Sequence, residues 1–318
     1  MRVQPERAFF DPESFAHVAA IYDSDQTYLH SVLPFVRRSL DHGRDTLVVA
    51  GRDKLGLLSA ALGDDFGRID RRIGPTWYTH PARTLTAYHE YAEPWARRGT
   101  TLIGEPVWAG RDERDVREWL RYESAINLAF AEAPVLVLCL YDRAATPADV
   151  LAETARTHPW CLDGDGLRPS ADYVRPADYR PAGDGVPFAD PPPRAAGMAF
   201  TSRDLARLRR TVADTAHAAG LDRDTAGSLV LSVSEIAANT VEHGAGHGRL
   251  TIWTAGRELI CEITDESGRL DVPLPGYLPP GPASPRGYGL WISRQLCDLV
   301  EIRTEGGVLR VRLHMYLP

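Results

Sequence analysis

Three polar residues spaced four apart, Glu235, Asn239 and His243, lie in a mainly apolar stretch between Leu231 and Gly244. Residues at i, i+4 and i+8 share one stripe of an α-helix, so the carboxylate, the amide and the imidazole would face one groove. The apolar positions on the other faces can bury the helix against a sheet: Val233, Ile236, Ala237 and Val241. A carboxylate and an amide one turn apart suit a site that accepts a proton and holds Mg²⁺. An ordinary amphipathic helix with a polar edge explains the same spacing.

Two glycine-containing motifs follow this helix along the chain. A strand pair leads to Asp265-Glu-Ser-Gly268, and a loop rich in Pro and Gly leads to Arg286-Gly-Tyr-Gly-Leu290, where another helix is predicted to begin. Gly287 and Gly289 would let the backbone approach a phosphate, while the helix N-terminus supplies N–H donors and a favourable dipole. Taken alone, the first motif indicates a turn and the second a helix start.

The order of these three motifs resembles the Bergerat nucleotide-binding fold of the gyrase, histidine-kinase and MutL superfamily, and within it the anti-sigma-factor serine kinases of the RsbW type. The resemblance covers about the last third of the chain and implies binding of ATP and Mg²⁺. Matched by position, Asn239 would coordinate Mg²⁺, Glu235 would act as general base, and Arg286 would stabilise the transferring phosphoryl group. The other nucleotide-binding positions it implies are His243, Asp265 (which would accept the adenine amine), Gly268, Gly287, Tyr288, Gly289 and Leu290.

Residues 269–285 would form the ATP lid of such a kinase, and three positions depart from the family pattern. Thr240 stands where Ala is usual, no second glycine follows soon after Gly268, and Val308 replaces a frequent Thr. These departures favour an inactive, ATP-responsive adaptor or a small-molecule sensor with a vestigial kinase domain. The intact Glu235 favours an active enzyme. No phosphoacceptor-histidine helix pair precedes the domain, so a histidine autokinase is not expected.

The resemblance also implies partners. The protein would bind a sigma factor and phosphorylate a serine of an anti-anti-sigma antagonist with the STAS fold, under the control of its N-terminal domain. Kinases of this type are often dimeric, so a homodimer is an expectation. The apolar and polar residues that alternate from Leu309 to Tyr316 predict a strand with one core face, within an α+β two-layer sandwich whose other sheet face is partly free.

The first half of the chain alternates short apolar runs with helical patterns, which predicts a three-layer α/β domain with a mainly parallel sheet. Predicted strands are His17–Tyr22, Thr46–Ala50, Thr100–Gly104 and Val135–Tyr141, and most should be buried on both faces. Predicted helices are Gln26–Asp41, Lys54–Leu62, Leu85–Arg98 and Arg114–Glu132.

Three segments of this half, Ile21-Tyr-Asp-Ser-Asp25, Gly43-Arg-Asp-Thr-Leu-Val-Val-Ala50 and Thr157-His-Pro159, resemble the MEDS sensory domain. That resemblance covers roughly residues 10–180 and implies a RecA/KaiC-like core that senses small organic molecules. The segment after the first strand lacks the glycines and lysine of a P-loop and carries Asp23 and Asp25. Nucleotide binding is therefore not expected there, and these residues should turn the chain and cap the next helix.

Aromatic residues are dense in this domain and could line an apolar pocket or form its core: Trp77, Tyr78, Tyr88, Tyr91, Trp95, Trp108, Trp119 and Tyr122. Glu105 and Glu123 are candidate polar anchors of such a pocket, although surface positions are expected for both. No metal-ligand spacing connects the histidines considered, His30, His42, His80 and His89, so no metal site is expected.

Composition bounds the remaining possibilities. The 318 residues suggest about two domains, and we expect a sensory domain over 1–180, a Pro/Gly-rich linker over 181–196 and the kinase domain over 197–318. A net charge of −7 argues against nucleic-acid binding. No run approaches the length needed to span a bilayer, and no signal peptide is recognisable, so a cytoplasmic protein is expected. The four cysteines lack CxxC spacing and should be reduced thiols.

Overall fold

The computed structural model describes residues 14–93, 98–164, 166–266, 270, 274–279 and 287–318. The chain divides into two compact units, with the boundary between Asp184 and Gly185. Each unit is described separately below. None of the described helices combines the length and the apolar character needed to cross a membrane.

The N-terminal unit contains a seven-stranded sheet and six α-helices among its described residues. The strands are β1 (Ala16–Tyr22), β2 (Asp45–Ala50), β3 (Asp70–Ile73), β4 (Thr100–Gly104), β5 (Val135–Asp142), β6 (Trp160–Asp163) and β7 (Gly166–Pro169). Their order is β3-β2-β4-β5-β1-β6-β7, and only β6 and β7 pair antiparallel. The helices are α1 (Asp25–Asp41), α2 (Arg52–Leu62), α3 (Gly74–Trp77), α4 (Pro81–Ala92), α5 (Glu113–Ala129) and α6 (Ala148–Thr157).

Helices cover both faces of this sheet. Val18 and Ala20 of β1 share a buried cluster with Val32 of α1, whereas His17 on the opposite face contacts Asn127 of α5. Alternate residues of a strand point to opposite faces, so β1 is enclosed from both sides. The predicted α/β layers and the four central strands are confirmed, with bounds that shift by one residue at most.

The structure extends the sequence prediction at the edges of the sheet. Strand β3 reads Asp-Arg-Arg-Ile and is mostly exposed, so it carries no apolar signal. The helix expected over Leu85–Arg98 begins earlier, at Pro81, and ends at Ala92, while residues 94–97 lie outside the described part.

The turn after β1 caps a helix, as expected in place of a phosphate loop. Ser24 Oγ accepts the N–H of Thr27 at 3.2 Å, and Thr27 Oγ1 accepts the N–H of Ser24 at 3.0 Å. This reciprocal pair satisfies donors at the start of α1. Asp25 is engaged by Lys54 at 2.8 Å.

The C-terminal unit is a five-stranded antiparallel sheet with helices. Its strands are β8 (Ala196–Thr201), β9 (His247–Ala255), β10 (Glu258–Asp265), β11 (Leu299–Glu305) and β12 (Val308–Tyr316), in the order β11-β12-β10-β9-β8. Its helices are α7 (Leu205–Ala218), α8 (Arg223–His243) and α9 (Tyr288–Leu296). Leu208 of α7 and Val233 of α8 share one core with Leu250, Cys261 and Leu313 of the sheet.

The opposite face of the sheet is polar but paired. Glu262 accepts hydrogen bonds from Arg310 at 2.9 Å and from Arg312 at 2.6 Å. Phe188, from the predicted linker, lies against the Arg312 guanidinium at 4.2 Å from its ring centroid, and its backbone N–H donates to Glu305 at 2.7 Å. A residue of the predicted linker segment therefore covers part of the sheet face that was expected to be partly free, through cation–π contacts with its arginines.

His314 of β12 makes the stability of this unit depend on pH. Its ring is 1% exposed and lies between Glu258, at 2.8 Å from Nδ1, and Glu301, at 3.3 Å from Nε2. Burial lowers the pKa of His314, but hydrogen bonds and charges from both carboxylates outweigh burial and raise the pKa above its usual value. The charged imidazolium therefore stabilises the fold below the unfolded pKa of about 6.5, and this stabilisation is lost as pH rises through the folded pKa.

We predict that the protection of β11 against hydrogen exchange, corrected for intrinsic rates, falls in the full chain as the pH rises above about 6.5 and through the raised pKa of His314. In His314→Gln, which cannot be charged, this part of the pH dependence should be absent. An identical loss of protection in wild type and variant would contradict the assignment.

Candidate functional site

Helix α8 is built so that its polar stripe stays accessible. Asp222 caps the helix by accepting the N–H groups of Asp224 and Thr225, both at 2.9 Å. The apolar positions Val233, Ile236 and Ala237 are buried against the sheet, while Glu235 and Asn239 are half-buried and His243 is exposed. The predicted division of the helix into a core face and a polar stripe is confirmed.

The start of α9 packs directly onto that stripe. Gly289 is buried, and a Cβ atom placed on it would lie 3.0 Å from Nδ2 of Asn239 and 3.2 Å from Oε2 of Glu235. Only glycine leaves this space to the two side chains. Its carbonyl accepts the Ser293 hydroxyl at 2.8 Å, which fixes the first turn of α9. The contact brings the predicted general base and the predicted Mg²⁺ ligand beside a helix N-terminus.

A pocket opens beside this contact, with a volume of about 530 Å³ that includes space open to solvent. Asp265, at the end of β10, is 4% exposed, and its Oδ1 accepts the N–H of Ala245 at 3.1 Å. Apolar and polar side chains from α8, β10, α9 and β12 enclose the pocket: Ile236, Asn239, Thr240, His243, Gly244, Ile263, Asp265, Leu270, Leu290, Leu309 and Val311. A flat apolar group with one polar donor fits such a lining.

Gly244 is required where the end of α8 meets Asp265. A Cβ on Gly244 would overlap the Asp265 carboxylate and would lie 2.7 Å from the carbonyl oxygen of Thr240. A side chain there would push the buried carboxylate out of place.

Residues 274–279, a described part of the predicted lid, are anchored to α9. Arg294 donates from Nε to the carbonyl of Pro275 at 2.8 Å, and its guanidinium lies 4.3 Å from the ring centroid of Tyr277. Gly276, with φ of 75°, passes close to Leu290. These contacts hold residues 274–279 against α9.

The structure brings together most of the predicted site residues. Asn239, His243, Asp265 and Leu290 line the pocket, and Glu235 lies beside it at Gly289. Gly287, with φ of 100° at the cap of α9, and Tyr288 are exposed at the helix start. Gly268 and Arg286 lie outside the described residues.

Two of the residues that depart from the family pattern lie in the described part of the chain. Thr240 is 4% exposed and lines the pocket, close to Gly248 of β9. Val308 pairs with Glu305 across the β11–β12 turn. The nearby positions that line the pocket from β12 are Leu309 and Val311.

A cluster in the N-terminal unit was missed by the sequence analysis. His17, Glu123, Cys139 and His158 are all buried, and one potential ligand atom from each lies within 4.8 Å of the others. The expected surface position of Glu123 is wrong, because its side chain is 1% exposed between two histidines. The sequence does place a histidine, His17, and a cysteine, Cys139, inside apolar strands. Rules based on short-range spacing do not detect a site built from such distant residues.

The candidate aromatic pocket is largely core. Tyr78, Tyr88, Trp108, Trp119 and Tyr122 are buried, and Trp119 packs edge-on against Tyr78 and Tyr122. The hydroxyl groups of Tyr78 and Tyr88 are 2.7 Å apart. Glu105 is half-buried and accepts the Tyr22 hydroxyl. Trp95 lies outside the described residues.

Comparison with protein families matches both units. Residues 16–159 match the MEDS domain, described as the methanogen/methylotroph, DcmR sensory domain, and residues 198–314 match the histidine kinase-like ATPase domain. The chain carries a MEDS sensory domain followed by a histidine kinase-like ATPase domain. The predicted resemblance to both families is confirmed.

No curated protein sequence matches the chain significantly. Among solved structures, the chain is similar to the RsbU and RsbW domains of Rv1364c from Mycobacterium tuberculosis, at 17% identity and a TM-score of 0.29. The match covers 38% of this chain and 32% of that chain. The chain thus spans about a third of the length of that structure.

The role of the contact between α8 and α9 can be tested by substituting two glycines of the same unit. Gly289→Ala should weaken ATP binding at least tenfold, because the added methyl group displaces Asn239 and Glu235. Gly227→Ala is the matched control: Gly227 also lies in a helix, but a Cβ there meets nothing within 4 Å. Titration of a fluorescent ATP analogue into each full-length variant measures the difference. Equal affinities in the two variants would show that the contact does not shape the site.

Proposed function

We propose that the ATPase domain binds Mg-ATP and transfers its γ-phosphoryl group to a serine or threonine of a partner protein. The observation that carries this proposal is the packing of Gly289 onto Glu235 and Asn239, beside a pocket that ends at the buried Asp265. Base recognition, phosphate binding and a proton acceptor are then grouped within one site.

Asp265 supports adenine recognition. One of its oxygens is used by the N–H of Ala245, so the carboxylate is held in a fixed orientation at the pocket. An ionised carboxylate accepts hydrogen bonds and cannot donate them, so it would select the exocyclic amine of adenine over the carbonyl oxygen of guanine. Leu290 and Ile263 supply apolar surface for the base.

Phosphate binding would fall to the start of α9. The N–H groups of its first turn, from Tyr288 onward, have no intrahelical partner, and together with the helix dipole they favour negative charge. The side chain of Asn239 carries an amide oxygen, a type of ligand that Mg²⁺ prefers. A bound Mg²⁺ would neutralise charge on the phosphate oxygens. Arg286, assigned by the family pattern, would add positive charge opposite the transferring group.

Glu235 would act as the general base. It would accept the proton of the attacking hydroxyl while the hydroxyl oxygen forms a bond to the γ-phosphorus, and the bond to the bridging oxygen breaks to release ADP. Its position one turn from Asn239 places the proton acceptor beside the proposed metal ligand.

The proposed partners follow from the RsbW-type motif order. A sigma factor would be the protein held by the domain, and a STAS-fold anti-anti-sigma protein would be the substrate. The MEDS domain would adjust this activity in response to a small organic molecule, in a cytoplasmic protein that works as a homodimer.

Two substitutions separate binding from turnover in the full chain. Asn239→Ala should lose most Mg-ATP affinity, because it removes the proposed metal ligand. Glu235→Gln, which keeps the shape and removes the base, should retain affinity within a few-fold and lower phosphoryl transfer by about 10²–10⁴-fold. ATP binding is measured by calorimetry, and transfer by ADP release with candidate STAS proteins.

The outcomes discriminate among the functions. Unchanged turnover in Glu235→Gln contradicts the assignment of the base. Wild-type ATP binding without phosphorylation of any STAS partner, together with ATP-dependent sigma-factor binding, identifies an adaptor that switches partners without chemistry.

A further inference from the structure

The buried cluster of the N-terminal unit has the composition of a transition-metal site. It contains two imidazoles, one thiol and one carboxylate: His17 on β1, Glu123 on α5, Cys139 on β5 and His158 directly after α6. All four side chains are buried. Residues of these types, brought together from four elements far apart in the sequence, bind zinc and related divalent ions.

Four of the six separations between the potential ligand atoms are close to those of tetrahedral coordination, and all six are within 4.8 Å. Nε2 of His17 lies 3.4 Å from Sγ of Cys139 and 3.7 Å from Oε2 of Glu123. The same Oε2 lies 3.5 Å from Nε2 of His158 and 3.5 Å from Sγ of Cys139. A tetrahedral ion with bonds of about 2.0–2.3 Å separates its ligand atoms by roughly 3.3–3.8 Å.

Hydrogen bonds at the other ring nitrogens orient both histidines. Nδ1 of His158 lies 2.9 Å from the carbonyl oxygen of Thr154, so it must carry a proton. Nδ1 of His17 lies 3.1 Å from Oδ1 of Asn127. Metal-binding histidines usually donate the N–H of their second ring nitrogen to a backbone or side-chain oxygen of a neighbouring residue.

The orientation of Asn127 is itself fixed. Its Nδ2 donates to the carbonyl of Thr157 at 2.8 Å and approaches that of Ser124 at 3.2 Å. The amide oxygen must therefore face His17, and His17 must donate from Nδ1. In a neutral ring, Nε2 of each histidine then carries a lone pair that faces the Glu123 carboxylate.

The Cys139 thiol can donate one hydrogen bond, to Oε2 of Glu123 at 3.5 Å, and a cation among the four side chains would satisfy the acceptors that remain. Nε2 of His158 makes no hydrogen bond within the described part of the chain, although it is fully buried. A divalent cation compensates both the lone pairs and the carboxylate charge.

We propose that His17, Glu123, Cys139 and His158 bind a divalent transition-metal ion of the zinc class inside the MEDS domain. Binding forms a metal–thiolate bond and releases the thiol proton of Cys139. The ion links β1, β5 and the segment after α6 to helix α5. Because the site is enclosed, the ion enters as the domain folds. The proposal does not depend on kinase activity in the other unit.

The test uses tag-free, full-length protein refolded from denaturant with Co²⁺ or Zn²⁺. We expect about one ion per chain by elemental analysis, a thiolate-to-cobalt charge-transfer band in the Co²⁺ form, and a higher unfolding temperature for the N-terminal unit with metal than with chelator. Cys139→Ser should lose the charge-transfer band. Cys161→Ser is the matched control, because Cys161 is half-buried and lies outside the cluster, and it should keep the band.

Two results would overturn the proposal. One is a folded wild-type chain that retains no metal after refolding with excess Co²⁺ or Zn²⁺, which would identify the cluster as hydrogen-bonded core. The other is a Co²⁺ spectrum that Cys139→Ser leaves unchanged. If Cys139→Ser fails to fold, the metal content and spectrum of the wild-type protein still decide between these outcomes.

Discussion

The close approach of α9 to α8 is the contact on which the candidate nucleotide site depends. Gly289 has no side chain, so the first turn of α9 lies within van der Waals distance of Glu235 and Asn239. A larger residue would separate the helix start from the polar stripe. The pocket forms beside this contact, because α8 and the sheet supply its apolar walls and Asp265 forms its polar end. The antiparallel sheet holds these elements in place through one shared core.

The two units use buried charge in different ways. On the polar face of the C-terminal sheet, Glu262 is matched by Arg310 and Arg312, and His314 lies between two carboxylates. In the N-terminal unit, Glu123 faces two histidines whose outer nitrogens are already occupied by oxygens. Paired charges stabilise the sheet face, whereas the cluster around Glu123 holds more hydrogen-bond acceptors than donors, which is why we propose a bound cation there.

Local patterns predicted much of the fold. Strands β4 and β5 were predicted to within one residue from their short buried runs. The helix that carries Glu235 was predicted over Leu231–Gly244, but it begins earlier, at Arg223. Strand β3 was missed because its residues are polar. The cluster around Glu123 was missed because its members are separated by up to 141 residues, from His17 to His158, and meet only in the folded sheet. The packing of Phe188 on the arginines was missed for the same reason.

The most direct test of the nucleotide site is calorimetric titration of the folded full-length chain with Mg-ATP and, separately, with Mg-GTP. We predict saturable binding of Mg-ATP at a single site per chain. Mg-GTP should bind at least tenfold more weakly, because Asp265 repels the guanine carbonyl, and both heats of binding should be lost in Asn239→Ala. The absence of Mg-ATP binding to the folded wild-type chain, or equal affinity for the two nucleotides, would contradict this prediction.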